Sequence, residues 1–393
     1  MQTTDVSPDA ARNLQPVREP VAGDALGQPK PGIALCLSGG GYRAMLFHLG
    51  TIWRLNELGI LKKLDRVSSV SGGSITAGVL GFAWNKLTFD ANSVAINFGD
   101  LVVAPIRELA GDTIDTGSII KGLLLPRDKV AKEVAKAYRK HLFGSATLQD
   151  LPSDGEGPRF VINATNVQSG ALWRFSKPYM GDYRVGLILN PGLELAVAVG
   201  ASSAFPPFLS PVQLELDPAE FDPSTKGDLQ FEPYTSNVVL TDGGVYDNLG
   251  LETAWKNYDT ILVSDGGGLP DDEPKPKRDW LEHTYRVLNL LYNQIGSLRK
   301  RQVVGSYQAG LRKGAYWGIG TNILDYQLPT ALNCPFAQTL ELAKTATRLK
   351  GLDSTLQEQI INWGYAVCDA GIRKHVDGSL PVPTGFPYPD AGV

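Results

Sequence analysis

Two glycine-flanked serine segments and two aspartates are the residues of this chain whose types and spacing could do chemistry. The first segment, Ser38-Gly39-Gly40-Gly41-Tyr42-Arg43, follows the apolar run Ile33-Ala34-Leu35-Cys36-Leu37. It precedes Met45, Leu49, Ile52 and Leu55, which recur at helical spacing. Glycines between a strand and a helix let the chain turn tightly and leave N–H groups uncovered at the helix N-terminus, where the dipole also favours negative charge. That charge is a phosphate or the oxyanion of an acyl-transfer intermediate. The second segment, Ser69-Val70-Ser71-Gly72-Gly73, follows the short strand Val67–Val70 and leads into the charge-free stretch Ser74–Ala83. It has the form of a nucleophile elbow, G-x-S-x-G, with Ser69 in place of the first glycine. Such a turn would project the Ser71 hydroxyl from the C-terminal edge of the sheet. Both segments end consecutive strands, which is where parallel sheets place ligands.

A serine nucleophile needs a base, and the usual partner is histidine. The chain has four histidines. His48 lies mid-helix between Phe47 and Leu49, which suits a packed core residue. His141, His283 and His375 fall in or at the ends of helical stretches, and none follows a strand. A carboxylate is the better-motivated base. Asp242-Gly243-Gly244 follows the strand Val238–Leu240, and Asp265-Gly266-Gly267-Gly268 follows the strand Ile261–Ser264. Either would deliver an aspartate to the end of a strand, and the residues alone do not separate them.

Other classes compete for the same residues. Gly39-x-Gly41-x-x-Ala44 fits a dinucleotide fingerprint, which would make the chain a nucleotide-binding oxidoreductase. That reading needs an acid at the end of the next strand. Here the next strand ends in Ser71, and Asp65 precedes it. A catalytically silent scaffold of the same fold gains little, because a nucleophile and candidate bases are all present.

The elements that must position these groups alternate between strand and helix. That order implies a parallel sheet with right-handed crossovers. Further strands are expected at Phe160–Ala164 and Ala171–Phe175. Further helices are expected at Asp128–Lys140, Leu193–Ser203, Trp280–Val304, Ala337–Leu349 and Thr355–His375. Gln213–Thr235, with three prolines, reads as a surface insertion, and Leu269–Arg278 as a break before a C-terminal helical part. The 393 residues are 43% hydrophobic and 20% charged, as a globular chain with a sizeable core requires. A net charge of −4 gives no global basic field, so no nucleic-acid partner is expected. Cys36, Cys334 and Cys368 are odd in number and widely spaced, which suits buried free thiols rather than a disulfide framework or a metal site. The N-terminus, Met1-Gln2-Thr3-Thr4-Asp5, has no basic region followed by an apolar stretch, and no apolar run approaches the ~20 residues that span a bilayer. The expectation is a cytoplasmic protein that meets lipid only peripherally. Within Trp280–Val304, Leu288, Leu291, Ile295 and Leu298 share one side, followed by Arg299, Lys300 and Arg301. That helix is either packed on the core or laid against anionic lipid.

Taken in order, Gly39-Gly40-Gly41-x-Arg43, the elbow at Ser71, Ala201-Ser202-Ser203-Ala204-Phe205-Pro206-Pro207 and Asp242-Gly243-Gly244 resemble the patatin-like phospholipases. Ser38-Gly39-Gly40-Gly41-Tyr42-Arg43-Ala44-Met45 also resembles the cytosolic phospholipase A branch. The resemblance covers about residues 32–270. It implies an α/β fold with a doubly wound, mostly parallel sheet, helices on both faces and a helical C-terminal part. It implies a polar arm over 1–30 and one domain over 31–393, with a mainly helical extension over about 271–393. Its activity would be serine acyl hydrolysis of phospholipid or lysophospholipid through a Ser71–Asp242 dyad and an acyl-enzyme, with no cofactor and no metal. Gly39, Gly40 and Gly41 would supply the oxyanion hole. Arg43 would steady the glycine loop or meet a lipid phosphate. The resemblance favours Asp242 over Asp265. Two departures stand out. Ser69 replaces a glycine, and Asp247-Asn248-Leu249-Gly250 replaces the more familiar Asn-x-Pro.

Overall fold

The computed structural model describes residues 29–114, 127–207, 209–268 and 272–393. Almost all of the expected N-terminal arm lies outside these residues. Lys30, read as part of that arm, already opens the first strand, β1 (Lys30–Leu37). Helix α1 (Gly41–Glu57), β2 (Arg66–Val70) and α2 (Gly72–Ala83) follow in the expected order. Next come α3 (Ala104–Gly111), α4 (Arg127–Tyr138), β3 (Arg159–Asn166), β4 (Leu172–Phe175), β5 (Tyr179–Asp182), β6 (Gly186–Leu189) and α5 (Leu195–Ser202). Then β7 (Val212–Glu215), β8 (Asn237–Asp242), the single turns α6 (Gly244–Asp247) and α7 (Glu252–Trp255), and β9 (Tyr258–Asp265). The chain closes with α8 (Trp280–Gln308), β10 (Lys313–Gly318), α9 (Phe336–Ala343) and α10 (Ser354–His375).

These strands form one mixed sheet in the order β10-β9-β1-β2-β3-β4-β5-β6. From β10 to β3 every pairing is parallel. Beyond β3 the pairings are antiparallel, and β8 joins β3 in that sense with β7 on its far side. Helices cover both faces, as the α/β reading requires. Strand β1 shows why. Its alternate residues Leu35 and Leu37 enter the larger core, whereas Ala34 and Cys36 enter a smaller one with Leu249, Leu251 and Val303. A strand buried on both faces reads as an unbroken apolar run.

The C-terminal part is not an appendage. β10 extends the parallel sheet beside β9, and α10 packs along α1. The two helices approach so closely that a Cβ on Gly50 would lie 2.0 Å from the Ile361 carbonyl oxygen, and one on Gly364 the same distance from that of Phe47. Three sequence expectations need correction. Val212–Glu215, at the start of the supposed surface insertion, is a sheet strand paired with β8. The parallel pattern stops at β3. Helix α9 ends at Ala343 rather than Leu349, because the following residues leave the helix to bond the glycine turn, Tyr42 N–H donating to Arg348 O at 3.0 Å.

Candidate active site

The glycine turn between β1 and α1 is built by contact. Gly40 (φ 143°) and Gly41 (φ 61°) sit in the region that favours glycine. A Cβ on Gly41 would stand 2.6 Å from the Arg348 carbonyl oxygen, and one on Gly72 would stand 2.2 Å from that of Gly41. The two glycine turns are therefore pressed together, backbone on backbone. Among the described residues, the N–H groups of Gly40, Gly41 and Gly72 donate to no acceptor, whereas that of Gly39 is spent on Asn248 O at 3.0 Å. The expected donor set needs correcting on this point: Gly39 is held as part of the frame, and Gly72 has the bare N–H instead.

Ser71 caps α2 with φ 52° and ψ −121°, a backbone state that costs a non-glycine residue about 1–3 kcal/mol. The turn is anchored from beneath. Ser71 N–H donates to Ser202 Oγ at 3.0 Å, and Ser202 in turn donates to Asn163 O at 2.6 Å. Ser74 Oγ adds a third contact to Ser202, at 2.8 Å. Ser71 keeps 7% of its surface exposed, at the mouth of the site.

Asp242 arrives from the opposite direction. β8 runs antiparallel to β3 and sets Asp242 opposite Ala164, one residue beyond Asn163, which pairs with Val70. The carboxylate is fully buried. Its Oδ1 accepts from Gly244 N–H at 2.7 Å, while Oδ2 has no hydrogen-bond donor. The Ser71 hydroxyl lies close enough to lower the carboxyl's pKa without a hydrogen bond of standard geometry. Burial dominates and raises that pKa to about 6, with the bonds from Gly244, Ser71 and Tyr292 acting against it. Asp265, the sequence rival, is tied elsewhere. Its Oδ2 accepts from Tyr316 OH at 2.6 Å and its Oδ1 from Gly267 N–H at 2.9 Å.

His48 offers no competing base. His48 is fully buried, with Nε2 2.9 Å from Ser38 O and Nδ1 2.8 Å from Ser264 Oγ. A carbonyl only accepts, so Nε2 carries the hydrogen and Nδ1 accepts from the serine. Burial pushes the His48 pKa down to about 3, so the ring stays neutral. Arg43 is 2% exposed and spends its guanidinium on the frame. It donates to Gly266 O at 3.2 Å, to Thr347 Oγ1 at 2.9 Å and to Thr345 O. All three partners are protein groups that clamp the glycine turn to its neighbours.

One site residue gave no sequence signal. Tyr292, midway along α8, donates its hydroxyl to Asn248 Oδ1 at 2.7 Å and lies 3.5 Å from Asp242 Oδ1. Gly244 leaves room for it, since a Cβ there would stand 1.9 Å from the Tyr292 oxygen. Its ring meets Phe205 edge-on, with centroids 5.6 Å apart. Asn248 lies in the segment that departs from the family pattern, so that departure supplies the acceptor for Tyr292 and the carbonyl that holds Gly39. The sequence showed Tyr292 only as one more residue of an amphipathic helix.

No curated protein matches the chain. Among solved structures, human GIVD cytosolic phospholipase A2 in complex with methyl gamma-linolenyl fluorophosphonate aligns at 14% identity and TM-score 0.49, over 92% of this chain and 60% of that one. A second structure of the human enzyme aligns at 14% identity and TM-score 0.38, over 63% and 49%. VipD from Legionella pneumophila aligns at 14% identity and TM-score 0.33, over 86% and 66%. The chain thus spans about half to two-thirds of the length of these solved proteins. The family model described as patatin-like phospholipase matches residues 35–255, more than half of the sequence and the whole span from β1 to the turn after Asp242. By that match, the chain belongs to the patatin-like phospholipase family.

Proposed function

We propose that this chain is a serine lipid acyl hydrolase of the phospholipase A or lysophospholipase type, with Ser71 as nucleophile and Asp242 as base. The observation that carries the reading is convergence. A strained serine, a buried carboxylate with one open oxygen and three bare N–H groups meet at one sheet edge. In the forward step Ser71 Oγ attacks the ester carbonyl carbon as its proton passes to Asp242 Oδ2. The oxyanion forms against the N–H groups of Gly40, Gly41 and Gly72. Collapse expels the alcohol, which takes the proton back from Asp242, and leaves an acyl-Ser71 ester. Water, deprotonated by the same carboxylate, then releases the acid. A base with a pKa of about 6 is matched to neutral pH. The buried Tyr292 hydroxyl, its pKa pushed well up by burial and the nearby carboxylates, stays protonated and orients Asn248 and Asp242. Arg43 supports the loop.

A lipid-tailed fluorophosphonate probe tests this reading. It should label Ser71, identified by peptide mass, and the labelling rate should fall on acidification with an apparent pKa near 6. Labelling at another serine, or a rate flat between pH 5 and 8, ends the proposal.

Contact with a lipid surface would run through α8. The helix packs through half-buried Leu288, Tyr292, Ile295 and Arg299 and buried Val303. Trp280 (82% exposed), Val287, Leu291 and Leu298 form an outward stripe at helical spacing. The stripe expected from Leu288, Leu291, Ile295 and Leu298 is therefore split between the two faces. No helix among the described residues is long and apolar enough to cross a membrane. Trp280→Glu and Leu291→Glu should each weaken co-sedimentation with phosphatidylcholine vesicles by roughly tenfold, the worth of one buried apolar side chain. Hydrolysis of a monomeric short-chain ester should be unchanged.

A further inference from the structure

Neither the second Asp-Gly-Gly segment, Asp265-Gly266-Gly267, nor the buried ring of His48 has a part in the chemistry proposed above. They meet at Ser38, the residue from which the glycine turn starts. Gly266 N–H donates to Ser38 Oγ at 2.8 Å. A Cβ on Gly266 would stand 2.7 Å from Ala44 Cα and 3.3 Å from His48 Nε2. The bare glycine therefore leaves room for the ring to reach the Ser38 carbonyl. That carbonyl is the junction of the site. It accepts from His48 Nε2 at 2.9 Å and also from Gly73 N–H at 3.1 Å. Gly40 and Gly41 stand two and three residues after Ser38, and Gly72 stands one before Gly73. The bare N–H groups of both turns are thus referred to a single oxygen, and His48 sets where that oxygen points.

The ring is itself held in one tautomer. Trp317 Nε1 can only donate, and it lies 3.1 Å from Thr51 Oγ1. Thr51 Oγ1 is 3.0 Å from Ser264 Oγ, which is 2.8 Å from His48 Nδ1. Because Nε2 gives its hydrogen to a carbonyl, Nδ1 of the neutral ring accepts. Ser264 therefore donates to the ring, and Thr51 donates to Ser264. A one-way chain of donors runs from Trp317 on β10 to Thr51, then Ser264 on β9, then His48, and ends on the Ser38 carbonyl. β9 lies between β10 and β1 and pairs Ser264 with both Trp317 and Leu37. Thr51 and His48, three residues apart on α1, share the face turned to the sheet. All five residues of the chain are fully buried. A buried polar network in which each member is satisfied is rigid, and a lost link in it leaves a polar atom bare.

We propose that His48 is a positioning residue for acyl transfer, holding the Ser38 carbonyl so that the N–H groups of Gly40, Gly41 and Gly72 converge on one oxyanion. The proposal rests on the Ser71 reading. The ring touches no reacting atom, so its loss acts through the donors, which grip the tetrahedral species more tightly than the ground-state ester. His48→Leu should lower kcat per active site by about 100-fold, as a misplacement of about 1 Å does, with KM within about threefold of wild type. Active sites are counted by complete labelling of Ser71 with the lipid-tailed fluorophosphonate, so misfolded molecules do not enter the rate. The apparent pKa near 6 set by Asp242 should be unchanged. His48→Gln returns an amide N–H to the place of Nε2 and should recover at least about tenfold of the lost kcat. If His48→Leu does not fold, Ser264→Ala carries the test. It leaves the ring in place but lets Nδ1 take the hydrogen, and kcat per site should fall about tenfold. The proposal is overturned if the folded variant keeps kcat per labelled site within about threefold of wild type, or if His48→Gln is no faster than His48→Leu. It is equally overturned if the loss lies in KM alone. A wild type that does not label at Ser71 removes both readings. A wild type that labels and turns over beside an equally fast variant removes only this one.

Discussion

Ser71→Ala should lower kcat for lipid ester hydrolysis by roughly 10⁵-fold or more, because the carbon–oxygen bond of the acyl-enzyme has no other atom to form on. The remaining hydrogen-bond frame should keep the fold. Ser202 accepts from the backbone N–H of residue 71, not from its hydroxyl, and that bond survives. Ser71→Gly makes the comparison sharper. Glycine adopts φ 52° without strain, so that variant should be equally inactive yet more stable by about 1 kcal/mol in urea unfolding. Activity within tenfold of wild type in either variant would remove Ser71 from the chemistry.

Asp242→Asn should combine a loss of about 10³–10⁴-fold in kcat/KM with a gain in stability. The carboxyl is fully buried and its pKa is raised to about 6, chiefly by desolvation. The folded protein therefore holds this proton more tightly than the unfolded chain. The contribution to stability is complete below the ordinary carboxyl range and is lost as pH rises through about 6. At pH 8 the wild type carries an ionisation cost on the order of 3 kcal/mol. Asparagine keeps an oxygen for Gly244 N–H and carries no charge. The urea midpoint of the variant should thus exceed that of the wild type at pH 8, with the difference shrinking toward pH 5. An equal or lower midpoint at pH 8 would mean that the carboxylate is compensated in some way this geometry does not show.

The strand-to-helix turns were legible because their causes are local. An apolar run followed by three glycines, and a second followed by Ser-Gly-Gly, fix two sharp turns wherever the chain goes. The choice of aspartate was not local. Asp242-Gly243-Gly244 and Asp265-Gly266-Gly267 look alike as strings. They differ because β8 enters the sheet antiparallel beside β3 while β9 lies parallel beside β1. Strand direction depends on partners far along the chain, and nothing in either tripeptide encodes it. Gly39 failed as a bare donor for a similar reason, since its N–H is taken by a carbonyl some two hundred residues later. Tyr292 was invisible because its role depends on the absence of a Cβ at Gly244. The end of α9 was misplaced because bonds to the glycine turn outweigh the helical preference of Thr345 to Leu349.

The seam between α1 and α10 bears on where this molecule can be cut. The family match stops at residue 255, yet α1, which grows directly out of the glycine turn, rests on a helix that starts at Ser354. Excising the recognisable segment would strip Phe47 and Gly50 of their partners, remove β9 and β10 so that β1 becomes an open edge, and delete the tyrosine beside Asp242. What evolution marks as the signature and what physics requires as a self-supporting body have different lengths here. A substitution that widens the crossing of these two helices, such as Gly364→Ala, would disturb α1 and the turn from which it grows without ever touching the serine.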